Sequence, residues 1–541
     1  MPTSRFENES TYKKFADSGK EQEFDSLFEH AINDAKREFG SAHPMYMDGK
    51  AVYSNETLIE RSPIDSDLII GKFQKGNREH ARQAIAAAQK AFVTWSELGY
   101  KERANIFRKA ADLFSKEKFR LSAILSYENG KSRYESVGEV DEAIDFMRYY
   151  ANEIEINKGY SRKTSSKQDV AKVASGFQGA PSAAESVTIS MKPYGVFGVL
   201  APFNFPISIS VGMSAAAMIT GNTVVFKPSS TDNMSMFTGL KMYELLKQAG
   251  LPDGVFNYIT GPGSIIGEEL ASNDGVAGIA FTGSKSTGMG MISSAFSSGK
   301  QKVFVVEMGG KNPAIVSKYA NLDDAASGIS SAAFGFSGQK CSCTSRVYVH
   351  ESIKELFVSK LIEKARVLKI GNPLEKDVYM GPLISESAHR RYTESIERAR
   401  TTGRVLYGGN TVKPGLNGFY VEPTIIEVRH ESELVHKELF VPIVTIESFK
   451  TIDEAISMAN DVEYGLTAAL YSNNSREIKE FSKRIQAGTV YVNRAISATT
   501  GAIVGLHTFV GWKSSGLTGK GTGSKHYLQQ FLREQSMSIV K

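Results

Sequence analysis

Three short runs of this chain carry side chains able to do covalent chemistry on a carbonyl. In GFSGQKCSCTSR, Cys341 follows small residues and stands beside Lys340. A cysteine attacks as its thiolate, which positive potential favours, and small neighbours leave room for a substrate carbonyl. In VFVVEMGGKNP an apolar run ends at Glu307 ahead of two glycines, where a carboxylate can face a cavity while the backbone turns sharply. Lying one strand–helix unit before Cys341, it is placed to act across a pocket as a general base. In VLAPFNFPIS, Asn204 sits between aromatics and prolines, and a buried amide there can donate to a developing oxyanion. Each has an ordinary alternative when taken alone: a buried structural cysteine, a solvated glutamate at a strand end, an asparagine satisfied inside a core. Cys341 and Cys343 are the only cysteines. Their one-residue spacing is not that of a zinc site and the nine histidines add no matching pair, so no metal is expected.

Such groups must be held by rigid elements. From Tyr194 to Glu307 the runs VFGVLAP, NTVVFK, VFNYIT, GIAFTGS and VFVVE alternate with helical stretches. That alternation predicts a parallel sheet covered by helices, with ligand sites at the carboxyl ends of its strands. A second set begins near Asn312 with NPAIV and continues through RVYVH, GRVLYGG, PIVTIESF and TAALYS. Ahead of both, Ala84, Ile85, Ala88, Phe92 and Trp95 share one helical face within a helical region from Asn77 to Ile156, and Phe107, Ala110, Ala111 and Phe114 repeat the spacing. The segment from Asn157 to Glu185 is small, polar and aperiodic, and is expected to be a loop, flap or insertion. The tail beyond Gly516, with YLQQFL and SMSIV, suits an edge strand pairing with that flap or with another subunit.

The bulk properties narrow the function classes. A chain of 541 residues calls for at least two folding units. A net charge of +5 from interspersed residues of both signs argues against nucleic-acid binding. Two cysteines cannot build a disulfide framework, and the polar amino terminus lacks a secretory core, so a cytoplasmic protein is expected. The charge-free stretch between Lys192 and Lys227 is long enough to span a bilayer but is broken by Pro193, Gly195, Pro202, Asn204, Pro206 and Gly221. It is expected to form two buried strands around a helix, with no membrane contact. GSKSTG and GKGTGSK lack the spacing of a triphosphate-binding loop.

Together these segments resemble the aldehyde dehydrogenase superfamily over almost the whole chain, through APFNFP, VVFKPSS, GLPDGVFNYITGPGS, FTGS, VVEMGGKNP, SGQKCSCTSR, GPLI, YVEPTI, KELFVP and EYGLTAALYS in that order. The resemblance implies an α/β fold of two parallel-sheet domains plus a small oligomerisation flap. Residues 1–160 and 187–306 would bind a dinucleotide, 307–515 would be catalytic, and 161–186 with 516–541 would form flap and tail. It also implies a homo-oligomer, a dimer or higher. Cys341 would be the nucleophile, Glu307 the base, and Asn204 with the backbone N–H of Cys341 the oxyanion hole. Pro202, Lys227, Ser230, Gly263, Gly283, Ser284, Glu438 and Phe440 match cofactor-binding positions. Lys227 matches the lysine at the adenosine ribose, Gly263 the glycine near the adenine side, Ser284 the serine near pyrophosphate, and Glu438 and Phe440 the residues at the nicotinamide ribose. Many members carry glutamate where Ser230 stands, and serine removes its repulsion of a phosphate. NAD is the implied cofactor, with NADP the alternative.

Four further segments resemble the pyrroline-5-carboxylate dehydrogenases of this superfamily: FENES, DEAIDFMRYYANEIE, TTGAIVGLHTFVGWKSSG and SKHYLQQFL. The substrate implied is L-glutamate γ-semialdehyde, oxidised to L-glutamate in proline catabolism, with Glu142, Phe205 and Phe509 facing it and Ser342, Gly501 and Ala502 gripping its carboxylate. Backbone donors at Gly501 and Ala502 suit a carboxylate, and Glu142 suits an ammonium. The loop before Thr500–Gly501 is longer than the family pattern, and Thr508, Val510 and Trp512 replace proline, glycine and phenylalanine. These changes are expected to touch the aldehyde pocket, which keeps another semialdehyde or a small hydroxyaldehyde as the alternative. A coenzyme-A-acylating enzyme would not need Glu307. A catalytically silent structural protein would not need Cys341, Glu307 and Asn204 together.

Overall fold

The computed structural model describes residues 6–164, 185–230, 234–299 and 301–540. One sheet of seven strands has the spatial order Val303–Met308, Gly278–Gly283, Val196–Leu200, Thr223–Lys227, Phe256–Tyr258, Met45–Met47 and Lys50–Val52. The first five are mutually parallel, and the last two join antiparallel at the edge. The chain starts this parallel set at Val196–Leu200, moves outward to Phe256–Tyr258, and returns to the other side with Gly278–Gly283. Strand order therefore reverses between Val196–Leu200 and Gly278–Gly283, and the loops leaving these two strands flank the crevice that a ligand occupies in such sheets.

Buried on both faces, the central strands are continuous apolar runs because helices cover each side. On one side Ala81, Ala84, Ile85 and Ala88 of the helix Arg78–Glu97 pack with Val196, Val225 and Ile259. On the other, Phe107, Ala110, Ala111 and Phe114 of Tyr100–Lys116 join a core with Phe197, Phe226 and Phe256. Asn77 starts the first of these helices by accepting from the N–H groups of Glu79 (3.0 Å) and His80 (3.1 Å). The polar amino-terminal region also contains a helix, Glu21–Lys36, whose Phe24, Phe28, Ala31, Ile32 and Ala35 form one buried stripe.

The second sheet runs Gly403–Tyr407, Thr424–Val428, Ile443–Phe449, Thr344–His350, Asn312–Val316, Thr467–Tyr471 and Thr489–Val492, with only the first pairing antiparallel. The chain crosses from one sheet to the other between Met308 and Asn312, so Gly309 and Gly310 are the hinge of the architecture. Glu307 is inside the last strand of the first sheet, and the strand Glu185–Pro193 runs across position 186. Two of the four expected domain boundaries, 186/187 and 306/307, therefore fall within strands.

A third, antiparallel sheet joins Leu532–Val540, Glu185–Pro193 and Ser161–Thr164, with Leu532 opposite Pro193 and Val540 opposite Glu185. The tail thus pairs with the far end of the expected flap, whose residues 165–184 lie outside the described residues. The charge-free stretch forms Val196–Leu200, the helix Ser208–Ile219 and Thr223–Lys227. Among the described residues no helix is long and apolar enough to cross a membrane.

Candidate active site

A continuous cavity of ≈ 1580 Å³ lies between the two sheets. Its wall includes Glu307 from the end of the first sheet, Cys341 from the loop entering Thr344–His350, and Asn204 from the loop leaving Val196–Leu200. The cysteine thus comes from the amino end of a strand, whereas the alternation of elements pointed to carboxyl ends.

The two glycines after Met308 permit this convergence. A side chain at Gly310 would collide with the carbonyl of Cys341, and one at Gly309 with the carboxylate of Glu438. The N–H of Gly310 instead donates to Glu438 Oε1 at 2.8 Å. Asn312, next but one, donates from its amide to the carbonyls of Cys341 (2.7 Å) and Cys343 (2.9 Å). Asn204 is buried, and its amide donates to the carbonyl of Gln339 at 3.0 Å. Gln339 is itself pinned by accepting from the N–H of Ile384 at 2.9 Å. One amide N–H of Asn204 is thereby fixed, leaving the other for the cavity.

The electrostatics differ from the expectation at one point. Lys340 pairs with Glu135, and its field favours the thiolate of Cys343. Cys341 gains no such help: burial, Glu438, Cys343 and Glu307 push its thiol well above the ordinary range. Adjacency in sequence does not put the ammonium on the sulfur. Glu307 is also pushed well above the carboxylate range by burial, although the N–H of Gly511 donates to it at 3.0 Å. Burial raises Glu438 to about 7, against the opposing pull of Gly310, Lys311 and Arg391.

One end of the cavity has the donors that a dinucleotide needs. Gly263 begins the helix Gly263–Ser272, and Ser284, following Gly283, caps Lys285–Ser297 by accepting from the N–H of Thr287. Two helix N-termini therefore open on the cavity, a setting that favours phosphate oxygens. Lys227 is buried beside them; desolvation lowers its ammonium to about 8, and it donates to the carbonyl of Pro228 at 2.9 Å. Phe440, in a left-handed backbone conformation, meets Phe203 edge-on at 6.0 Å and, with Pro202 and Glu438, completes this wall. Ser230 is the exception. Its hydroxyl turns to the carbonyl of Pro228 at 3.0 Å, and Ser229 lines the cavity instead.

The other end collects Glu142, Phe205, Ser342, Gly501, Ala502 and Phe509. Arg494 donates to the carbonyls of Thr500 (2.8 Å) and Gly501 (3.2 Å), and Thr499 donates to the carbonyl of Ser342 at 2.7 Å. These bonds fix the turn with the carbonyls of Thr500 and Gly501 drawn toward Arg494. The N–H groups of Gly501 and Ala502 have no protein acceptor among the described residues. Thr508, Val510 and Trp512 are not part of the cavity wall, contrary to the expectation that these substitutions touch the pocket; Trp512 is 47% exposed. The lengthened loop does touch it, through Ile496 and Ser497.

Sequence reasoning missed Asn312, Gln339, Arg494 and Lys131. Lys131 is buried, pairs with Glu139, and lies 3.4 Å from the centre of the Phe205 ring. A lysine in the tripeptide NGK carries no signal of burial, because the covering groups come from distant segments.

Against known proteins, the model of the aldehyde dehydrogenase family matches residues 52–537. The chain is 36% identical to 1-pyrroline-5-carboxylate dehydrogenase 1 of Halalkalibacterium halodurans over 94% of this chain and 95% of that one. It is 34% identical to the 1-pyrroline-5-carboxylate dehydrogenase of Bacillus pumilus over 97% and 98%. Among solved structures, 1-pyrroline-5-carboxylate dehydrogenase from Thermus with bound NAD superposes with a TM-score of 0.87 at 31% identity, covering 95% of this chain and 96% of that one. Lactaldehyde dehydrogenase from Escherichia coli gives 0.83 at 32% identity, covering 93% and 100%.

Proposed function

The chain belongs to the aldehyde dehydrogenase family, and from this we propose that it oxidises L-glutamate γ-semialdehyde to L-glutamate through an acyl link to Cys341. The supporting observation is the cavity itself. At one end, Cys341, Glu307 and Asn204 adjoin two helix N-termini and a buried lysine; at the other, Glu142 shares the cavity wall with Gly501 and Ala502, whose N–H groups have no protein acceptor among the described residues. An aldehyde whose far end carries an ammonium and a carboxylate matches that second set.

In this reading Cys341 Sγ adds to the aldehyde carbon and the thiol proton leaves to solvent. The carbonyl oxygen becomes an alkoxide, which accepts from the free amide N–H of Asn204 and from the backbone N–H of Cys341. Lys227, Ser284, Glu438 and Phe440 would hold a nicotinamide dinucleotide, which would supply the hydride acceptor and a cationic ring. Cys341 then carries the acyl group as a thioester. Glu307, held by Gly511, takes a proton from water, the hydroxyl oxygen joins the acyl carbon, and the thiolate departs. NAD is the preferred cofactor. Among the described residues, the cavity wall near Ser229 contributes no added positive side chain for a further phosphate beyond Lys227.

A homo-oligomer is supported by the third sheet, where Met537 and Ile539 share a strand face and are 49% and 44% exposed. Steady-state assay of the full chain on glutamate γ-semialdehyde, succinic semialdehyde and lactaldehyde, with NAD or NADP and with or without coenzyme A, tests the whole reading. Glutamate γ-semialdehyde with NAD should give the highest kcat/KM. Formation of an acyl-coenzyme-A product, or a preference for lactaldehyde, would overturn it.

A further inference from the structure

The substrate end of the cavity includes two residues from a segment remote in sequence, Asn8 and Glu9. Both adopt left-handed backbone, at φ 54° and 52°, which branched or bulky residues avoid and which costs free energy unless the surroundings hold it. Here the surroundings do. The carboxylate of Asp145 accepts from the N–H groups of Glu7 (2.8 Å) and Asn8 (2.7 Å), and that of Asp141 accepts from the N–H (3.1 Å) and hydroxyl (2.8 Å) of Thr11. Lys118 neutralises Asp141 at 2.6 Å, and Glu7 is held by Lys14 at 2.9 Å.

Asp141 and Asp145 are one turn apart on the helix Arg133–Ile156, the helix that bears Glu142. The clamp therefore fixes Glu9 to the helix that presents Glu142. The Glu9 side chain lies over Gly138, one turn before Glu142: a β-carbon at Gly138 would make ordinary contact with it, 3.9 Å from Glu9 Cβ and 4.0 Å from Oε2.

The charges at this end then sort themselves. Lys131 is taken by Glu139 and Lys340 by Glu135. Glu9 and Glu142 form no ion pair among the described residues, and both residues line the cavity. We propose that Glu9, clamped by Asp141 and Asp145 beside Glu142, is a specificity-determining residue that binds the ammonium group of the aldehyde substrate. The proposal rests on the substrate reading above and adds to it a second carboxylate supplied by the amino-terminal segment. Burial and the neighbouring Glu9 together raise Glu142 to about 8, against the opposing pull of Ser208 and Lys131. The Glu9 side chain is open to the cavity, yet the protein packed around that cavity, with Asp141 and Asp145 adding and Lys340 and Lys131 opposing, raises it to about 7. A cation between the two carboxylates relieves that mutual repulsion.

The test compares glutamate γ-semialdehyde with its des-amino analogue, 5-oxopentanoate, on the purified full-length enzyme with NAD. In the unmodified enzyme the amine-bearing aldehyde should have the higher kcat/KM. In Glu9→Gln that preference should shrink by about 10- to 100-fold, the range for one hydrogen bond to a charged group, through KM and with little change for 5-oxopentanoate. Glu9→Asp, which keeps the charge, should recover part of it. L-Glutamate, as the product, should raise the melting temperature of the unmodified enzyme more than that of Glu9→Gln, while glutarate should stabilise both alike. An unmodified enzyme with no preference for the amine overturns the substrate reading and the proposal together. A preference kept intact in Glu9→Gln, or equal losses on both aldehydes, overturns the role of Glu9 alone.

Discussion

The amide of Asn312 binds the carbonyl of Cys341 at 2.7 Å while its own carbonyl accepts from the N–H of Thr467 at 3.0 Å. One side chain thus ties the loop carrying the nucleophile to the middle of the second sheet, and it stands where the chain has just crossed from the first. Replacing it by aspartate keeps the shape but puts a carboxylate against the carbonyls of Cys341 and Cys343. Asn312→Asp should cost about 1–3 kcal/mol of stability and, by loosening the attacking sulfur, lower kcat by about 100-fold. Thermal melts and steady-state kinetics on the same preparation check both parts.

The thiol of Cys341 is pushed up by burial and by Glu438 and Glu307, so with no dinucleotide added it is protonated at neutral pH. Alkylation by iodoacetamide should therefore be slow at pH 7, speed up as pH rises, and accelerate when NAD brings a positive ring into the cavity. Mass spectrometry of the peptide containing Cys341 and Cys343 separates the two sulfurs.

Lys227 is a buried ammonium whose only protein acceptor among the described residues is the carbonyl of Pro228. Substitution by methionine should raise KM for the dinucleotide by about 10- to 100-fold, as expected for loss of a charge-assisted bond, with a small effect on kcat. An unchanged KM would remove Lys227 from the cofactor site.

Stability should carry a pH signature from another buried pair. Glu60 accepts from the N–H groups of Met236 (3.0 Å) and Phe237 (3.1 Å), and Glu128 from those of Phe237 (2.7 Å) and Thr238 (3.1 Å), at the start of the helix Met236–Gln248. Burial raises both carboxyls, Glu128 to about 7; the charge of Glu128 adds to the rise of Glu60, whereas a hydrogen bond with Glu60 opposes that of Glu128. The folded state then holds protons that the unfolded chain releases near 4.5. Its stability is fully present below that value and declines as pH rises toward 7. Glu128→Gln should flatten this part of the profile by about 1–3 kcal/mol, measured by urea unfolding between pH 5 and pH 8, values spanning the shifted range.

Much of this was legible in the chain because the relevant signals are local. VFGVLAP, NTVVFK, GIAFTGS and NPAIV announce strands buried on both faces, and Ser284 announces a helix start. Thr424–Val428 and Thr489–Val492 do not announce themselves as strands: each is short, and the first follows directly on a proline. The helix Glu21–Lys36 hides its stripe of Phe24, Phe28 and Ile32 among charged residues. The pairing of Lys340 with Glu135 spans a separation of 205, and the burial of Lys131 depends on Phe205 and Phe336, which come from segments far along the chain. No spacing rule reaches the first, and the second needs the cavity to give it meaning.

Rapid mixing of Glu307→Gln with glutamate γ-semialdehyde and NAD tests the covalent route most directly. Attack by Cys341 and hydride loss do not need this carboxylate, whereas release of the acid does. One equivalent of reduced cofactor per site should form in a burst, followed by turnover slowed about 100-fold or more, with the acyl group recovered on Cys341. A variant that shows no burst, or turns over at the unmodified rate, would contradict the division of labour between Cys341 and Glu307.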